Sequence, residues 1–296
     1  MSDIVDAHHH VWRQSDLPWL SGPMVPRIFG PYEPLRRDYP IAEYRADAEA
    51  NGVTRSVYVQ ANWPAARALD EIEWVQSVAD ASGWPHGIVG YVDLLADDCA
   101  SALDAAMKAS KLLRGMRMQL HWHENALYRF APRPDLCDDP KVRKNLARLA
   151  ECGLLFELQV FASQMQGAAR LARSLPKLQI VLLHAGMLED TTPAGIALWR
   201  VGIEELALCP NVAVKLSGLG TFVHKVDRDF IGFVTAEMIE NFGAERCLFG
   251  SNFPIEKLWT DYGTLLAAHQ AALAIFSDSE RAQIFSGTAR RIYKLA

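Results

Sequence analysis

With 296 residues, half of them hydrophobic, and a formal net charge of −5, the chain is long enough for one large α/β barrel or two ordinary domains and can bury a substantial core. The acidic balance and the lack of a basic stripe argue against a nucleic-acid partner, and no apolar run of about eighteen residues suggests a membrane span. Five cysteines (Cys99, Cys137, Cys152, Cys209, Cys247) stand singly, so neither a disulfide framework nor a zinc ribbon is expected; the composition reads as that of a cytoplasmic protein acting on a small molecule, with self-association left open.

Short apolar runs alternate with amphipathic stretches along the whole chain. The first run, Ile4–His8, closes in "VDAHHHVW", where strand alternation puts His8 and His10 on one face with Asp6 behind them and turns His9 the other way. A long loop, Val11–Pro40, carries six prolines and leads to a helix predicted at Ile41–Asn51 and stopped by Gly52. Strand Arg55–Gln60, helix Pro64–Ser82 and strands Gly87–Val92 and Gly115–Leu120 follow. Beyond the loop His121–Asp139, the helix Pro140–Cys152 is opened by Asp139 and stopped by Gly153. Strand Leu154–Val160, helix Gln164–Leu175, strand Ile180–His184, helix Ala194–Leu208 and strand Val212–Lys215 continue the alternation. Loop Ser217–Asp227, helix Arg228–Phe242, strand Cys247–Gly250 and two helices at Asp261–Ala274 and Asp278–Tyr293 complete it.

Eight strands alternating with helices predict a closed parallel barrel occupying residues 1–296 as one domain. A doubly wound open sheet is the alternative, but no Gly-x-Gly-x-x-Gly or Walker loop follows any strand. The long loops all follow strands one, four and seven, which marks one face as the working face. Polar residues collect at that face's strand ends: His8 and His10, Gln60, Arg114, Arg117 and Gln119, Glu157 and Gln159, His184, Lys215 and Asn252. Any one of them alone reads as a satisfied core residue; together they favour a site. Lys215 reads either as a cation facing substrate or as a snorkelling rim residue. Trp12, Trp19, Trp63 and Trp122, with His121 and His123, read as ring-binding walls or as loop anchors.

The segments "VDAHHHVW", "RGMR", "IVLLHAG", "VKLSGLG" and "RCLFGSNFP", in this order and spacing, resemble the amidohydrolase superfamily, in the branch of 2-pyrone-4,6-dicarboxylate hydrolase and the sugar lactonases. The likeness runs from Asp6 to about Tyr293. It implies a (β/α)8 TIM barrel and hydrolysis of a small anionic or polyhydroxylated lactone. It also implies catalytic roles for His8, His10, His184 and the Asn252 position, and substrate contacts from Arg114 and Arg117; Lys215, by its place at a strand end, joins the expected catalytic set. Gln60, Gln159 and Trp122 join the expected binding set. Asn252 stands where that family usually has "GSDWP", whose Asp is its expected general base; an amide can orient water but cannot deprotonate it. The replacement could be His184, Glu157 or Glu256, the last read foremost as a surface acid, or a hydroxide on one Zn²⁺ or Mn²⁺ held by His8, His10 and His184. No metal at all is the other expectation. A lactone isomerase, a decarboxylase or a catalytically retired binding barrel are the rival readings.

Overall fold

The computed structural model describes residues 3–296. Eight strands, β1 Ile4–His9, β2 Val53–Val59, β3 Gly87–Gly90, β4 Leu113–Met116, β5 Leu155–Leu158, β6 Ile180–Leu182, β7 Val212–Leu216 and β8 Cys247–Phe249, pair in parallel and in sequence order. The sheet curls until the chain just past β8 meets β1: Asn252 N–H donates to His8 O at 2.7 Å and His10 N–H to Phe253 O at 2.8 Å. The α-helices are α1 Pro18–Ser21, α2 Ile41–Glu49, α3 Ala68–Ser82, α4 Cys99–Ala109, α5 Pro140–Glu151, α6 Met165–Ser174, α7 Pro193–Ala207, α8 Arg228–Phe242, α9 Tyr262–Ala272, α10 Asp278–Ala282 and α11 Thr288–Ile292. The architecture is the expected (β/α)8 barrel.

The elements form where local chemistry favours them. Asp139 caps α5 through the N–H groups of Lys141 and Val142, with Pro140 in the first turn, and Gly83 ends α3 in the left-handed conformation at φ 78°. Several boundaries differ from the sequence reading. Strands β3 and β4 stop at Gly90 and Met116, short of Val92 and Leu120, and past β4 Arg117 and Gln119 line the mouth instead. Helix α4 was not anticipated. The single C-terminal helix expected at Asp278–Tyr293 is divided by a π-helical turn at Gln283–Gly287.

Inside the barrel, Val5, Ala7, Val57, Val59, Val89, Leu155, Val181, Ala213 and Leu248 form a small dry core. The C-terminal segment plugs it from the N-terminal ends of the strands with Ala289, Ile292, Tyr293 and Leu295. The larger core lies between the strands and the helical ring. Burial of this apolar surface is the main favourable term in holding the strand ends where the site needs them.

One irregularity re-aims β1. Asp6 pairs with Ser56 and His9 with Tyr58, so three steps of β1 span two of β2, which is a β-bulge. The parity predicted for Asp6 is therefore wrong. His8 points into the barrel, but Asp6 points outward, towards the same helical layer as His9. There the Asp6 carboxylate accepts from Ser251 N–H (2.8 Å), Ser251 Oγ (2.6 Å), His8 N–H (3.1 Å), Tyr44 OH (2.8 Å) and Tyr262 OH (3.0 Å). Burial raises its pKa despite those donors. This knot ties β1 to the residue preceding Asn252. His9 stacks on Tyr44 with ring centroids 3.7 Å apart and stays neutral, its pKa lowered by burial to about 3.

Candidate active site

The C-terminal ends of the strands open into a cavity of about 200 Å³. Its floor is polar: His10, Asn62, Arg117, Gln119, His121, Gln159, His184 and Asn252. Its walls are apolar and come from the long loops: Trp12, Trp19 and Phe29 after β1, Tyr128 and Phe130 after β4, and Phe222 after β7. Among the described residues three cations line it, Arg27, Arg117 and Arg129, and no Asp or Glu does. The potential in this cleft is therefore positive, concentrated by low-dielectric walls.

Backbone strain gathers here. Asn62, His184, Ala185, Met187 and Asn252 all have positive φ, His184 at 53° and Asn252 at 58°. Gly218, itself at φ 61°, closes over His184; a Cβ there would fall 2.5 Å from His184 Nδ1, so only glycine permits the approach.

The histidines are held neutral and their tautomers follow from their partners. Burial is the first cause of their depressed pKa values and the cations Arg117 and Lys215 contribute; His184 falls to about 3. His10 Nδ1 lies 2.6 Å from Val59 O, which can only accept, so Nδ1 carries the proton and Nε2 presents a lone pair. His184 Nδ1 is 2.9 Å from Ser217 Oγ. His8 stands beside both, its ring centroid 5.1 Å from that of His10 and 4.9 Å from that of His184, but it does not border the cavity.

Lys215 corrects both readings made of it. It neither faces substrate nor snorkels to the rim; it is fully buried beneath His8. Its ammonium donates to Glu157 Oε1 and Ala7 O, each at 2.7 Å, and lies 3.5 Å from His8 Nδ1. Tyr293, from the plug, donates to the same Glu157 oxygen at 2.6 Å. Desolvation lowers the Lys215 pKa more than Glu157 raises it. Glu157 does point into the barrel, but as this cation's partner it is not a free base.

Other expected site residues are dispersed. Arg114 sits on the opposite end of β4, donating to the carbonyls of Lys111 and Leu113, because a bulge between β3 and β4 and a strand of only four residues put Arg114 and Arg117 at opposite ends of the barrel. Gln60 lies just below the floor, bonding Gln119 Oε1 at 3.2 Å and the Asn62 N–H at 2.7 Å. Trp122 borders a neighbouring hollow with His123 and Glu189, and reaches the site only as the surface under Arg129, whose guanidinium lies 4.9 Å from its ring. Trp63 is buried away from the cavity. Glu256 is not a surface acid but fully buried. The sequence reading named Trp12 and Trp19 among possible walls but missed Arg27, Arg129, Phe29, Tyr128, Phe130 and Phe222; their signal was the length of the loops that carry them.

Three imidazoles raise the question of a divalent ion. Among the described residues no group of three His, Cys, Asp or Glu side chains is disposed to hold one. The position after β8 offers an amide instead of a carboxylate, and two cations, Lys215 and Arg117, flank the histidines. The residues therefore do not fit a tightly held ion, and no step below is routed through one.

Comparison with known proteins gives a consistent family. Residues 5–295 match the model of an amidohydrolase family. An uncharacterized protein of Sinorhizobium fredii is 35% identical over 299 residues, covering 100% of both chains. An L-fucono-1,5-lactonase of Burkholderia ambifaria is 27% identical, covering 100% of this chain and 97% of its own. The crystal structure of an amidohydrolase from Burkholderia multivorans with bound zinc superposes with a TM-score of 0.83 at 27% identity over 99% of each chain.

Proposed function

The chain belongs to the amidohydrolase family, and on that premise we propose that it hydrolyses a small lactone bearing an anionic substituent, with water attacking the ring carbonyl at the barrel mouth. The observation that carries this reading is Arg117. It is a buried guanidinium, its pKa lowered by burial only to about 10, so it is charged at neutral pH. One amino group donates to Gln60 O, and its Nε has no partner. A buried cation with unspent donors, in a cavity without a carboxylate, is a site for an anion.

The rest of the floor supplies the reaction. Asn252 orients the water. His10 Nε2, with its lone pair fixed inward, takes the water's proton as the new C–O bond forms, and returns it to the ring oxygen as the ester C–O bond breaks, giving the open hydroxy acid. Arg117 faces the charge that develops on the carbonyl oxygen or anchors the substrate anion. Lys215, Glu157 and Tyr293 hold His8 from below. The similarity to an L-fucono-1,5-lactonase supports the lactone. The cationic lining supports an anion over a polyhydroxylated sugar, whose hydroxyls would call for acceptors such as Asp or Glu.

The test is a panel of carboxylated and neutral lactones assayed with the wild type and Arg117→Met. Loss of a charge-assisted contact is worth about 1.5–3 kcal/mol, roughly 10- to 100-fold in kcat/KM. The wild type should prefer the carboxylated lactones and the variant should lose that preference. Equal losses on both classes, or no ring opening at all, would overturn the reading.

A further inference from the structure

A second cavity, of about 590 Å³, opens at the other end of the barrel, beneath the N-terminal ends of β4 and β5. Its back is apolar: Met107 near the end of α4, Leu113 and Leu155 at the start of the two strands, and Ile292 from α11. Its charge is of one sign. Among the described residues Lys111, Arg114, Lys177 and Lys294 line it and no Asp or Glu does, in a chain with 35 acidic residues against 30 basic ones.

Arg114 is the least exposed of the four. Its Nη1 donates to the carbonyls of Lys111 (2.9 Å) and Leu113 (3.0 Å), while its Nε is shut off from solvent and has no partner. Burial lowers its pKa and no carboxylate is near enough to raise it. Lys111 meets Asp80 at 3.2 Å, but both side chains are exposed and such a contact is weak. Lys177 and Lys294 have no acid within ion-pair reach among the described residues; Lys294 donates to the Gly153 carbonyl at 3.3 Å. The main-chain oxygen of Ala296 is spent on Arg55 and Arg290.

Cations also suit helix C-termini, several of which point to this end of the barrel. Other residues meet that need: the last turns of α4, α5 and α6 carry Lys108, Arg148 and Arg173, and none of these lines the cavity. The four lining cations sit outside those turns, in loops and in β4. Like charges around one low-dielectric concavity raise its potential and repel one another until an anion enters.

We propose that this cavity is a second ligand site, which takes a small organic polyanion with an apolar body. Its charges lie against Arg114, Lys177 and Lys294, and its body against Met107, Leu155 and Ile292. The volume is that of a metabolite-sized ligand. The cavity shares no lining residue with the mouth, and the proposal does not rest on the hydrolytic reading.

The experiment is NMR of protein labelled with ¹³C in its methionine methyl groups and titrated with trimesate, an aromatic tricarboxylate. Met107 lines this cavity and Met187 the mouth, so the two sites are read apart, each signal being assigned by its loss in Met107→Leu or Met187→Leu. The Met107 signal should move and saturate, and the apparent Kd should rise about 10-fold or more in Arg114→Gln. Benzyl alcohol, a ring without charge, and inorganic phosphate, charge without a ring, should each bind at least about 10-fold more weakly than trimesate. Should Arg114→Gln not fold, the exposed Lys177 and Lys294 carry the test: changing both to Gln should raise the Kd several-fold. A Met107 signal that never saturates, a control probe that matches trimesate, or an affinity that neither Arg114→Gln nor the double lysine variant weakens would overturn the proposal.

Discussion

Lys215→Met removes the cation from a pair that no solvent reaches. The ammonium and the Glu157 carboxylate are both fully buried, 2.7 Å apart, and Tyr293 OH donates to the same carboxylate. Deleting one partner of such a pair leaves an uncompensated charge, which costs about 3–5 kcal/mol. Against a total stability of about 5–15 kcal/mol for a domain, that is a large fraction. Glu157→Gln added to Lys215→Met removes the charge and keeps an acceptor for Tyr293, so the double variant should be more stable than the single one. Urea unfolding of the three proteins at about pH 8 reads both effects. A single variant within about 1 kcal/mol of the wild type at pH 8, or a double variant weaker than the single, would refute the reasoning.

Further outcomes follow from the same geometry. His10→Ala should lower kcat by about 10²- to 10⁴-fold in a folded protein, while His9→Ala, which removes a ring stacked outward on Tyr44, should spare kcat and cost about 2–4 kcal/mol of stability; the reverse order would mean the bulge in β1 is misplaced. Acid should unfold the protein through its neutral histidines. His9, His121 and His184 have pKa values near 3 and His269 near 4, so the unfolded chain binds protons that the folded chain refuses below the ordinary value of 6.5. Each removes about 2 kcal/mol by pH 5, while Glu71 and Glu256, raised to about 7, each return about 2 kcal/mol on the way down from neutrality. His86, lowered to about 4, and His8 and His10, lowered further by burial, act in the same direction, so a net loss of stability from about pH 7 to about pH 5 is expected from urea unfolding at the two pH values, and an unchanged or greater stability at the lower pH would contradict it. Dialysis against a chelator should leave kcat/KM unchanged; a stoichiometric ion whose removal abolishes turnover would reassign His8, His10 and His184 as its ligands.

The barrel was legible because its evidence is distributed: eight apolar runs, each bounded by caps such as Asp139 or stops such as Gly83, need only their alternation to be read. The mouth was legible for the same reason, since His10, Arg117, Gln159, His184 and Asn252 each close a strand and all border the cavity. What failed was anything set by register. The bulge in β1 reverses Asp6, and the short β4 separates Arg114 from Arg117 across the barrel; neither leaves a mark in the local pattern. Burial of charge was equally hidden. Lys215 and Glu157 are far apart in sequence and become one buried pair only through closure, and Glu256 reads as a helix-surface acid until the Gly220 turn is seen lying on it.

Hydrolysis itself is tested most directly by running the reaction in ¹⁸O-labelled water with the best lactone of the panel and weighing the product. The account predicts one ¹⁸O in the carboxylate of the opened hydroxy acid for each turnover, with incorporation lost in a folded His10→Ala protein. Product formed without label, whether by isomerisation of the ring or by release of carbon dioxide, would contradict attack of water on the ring carbonyl at this mouth.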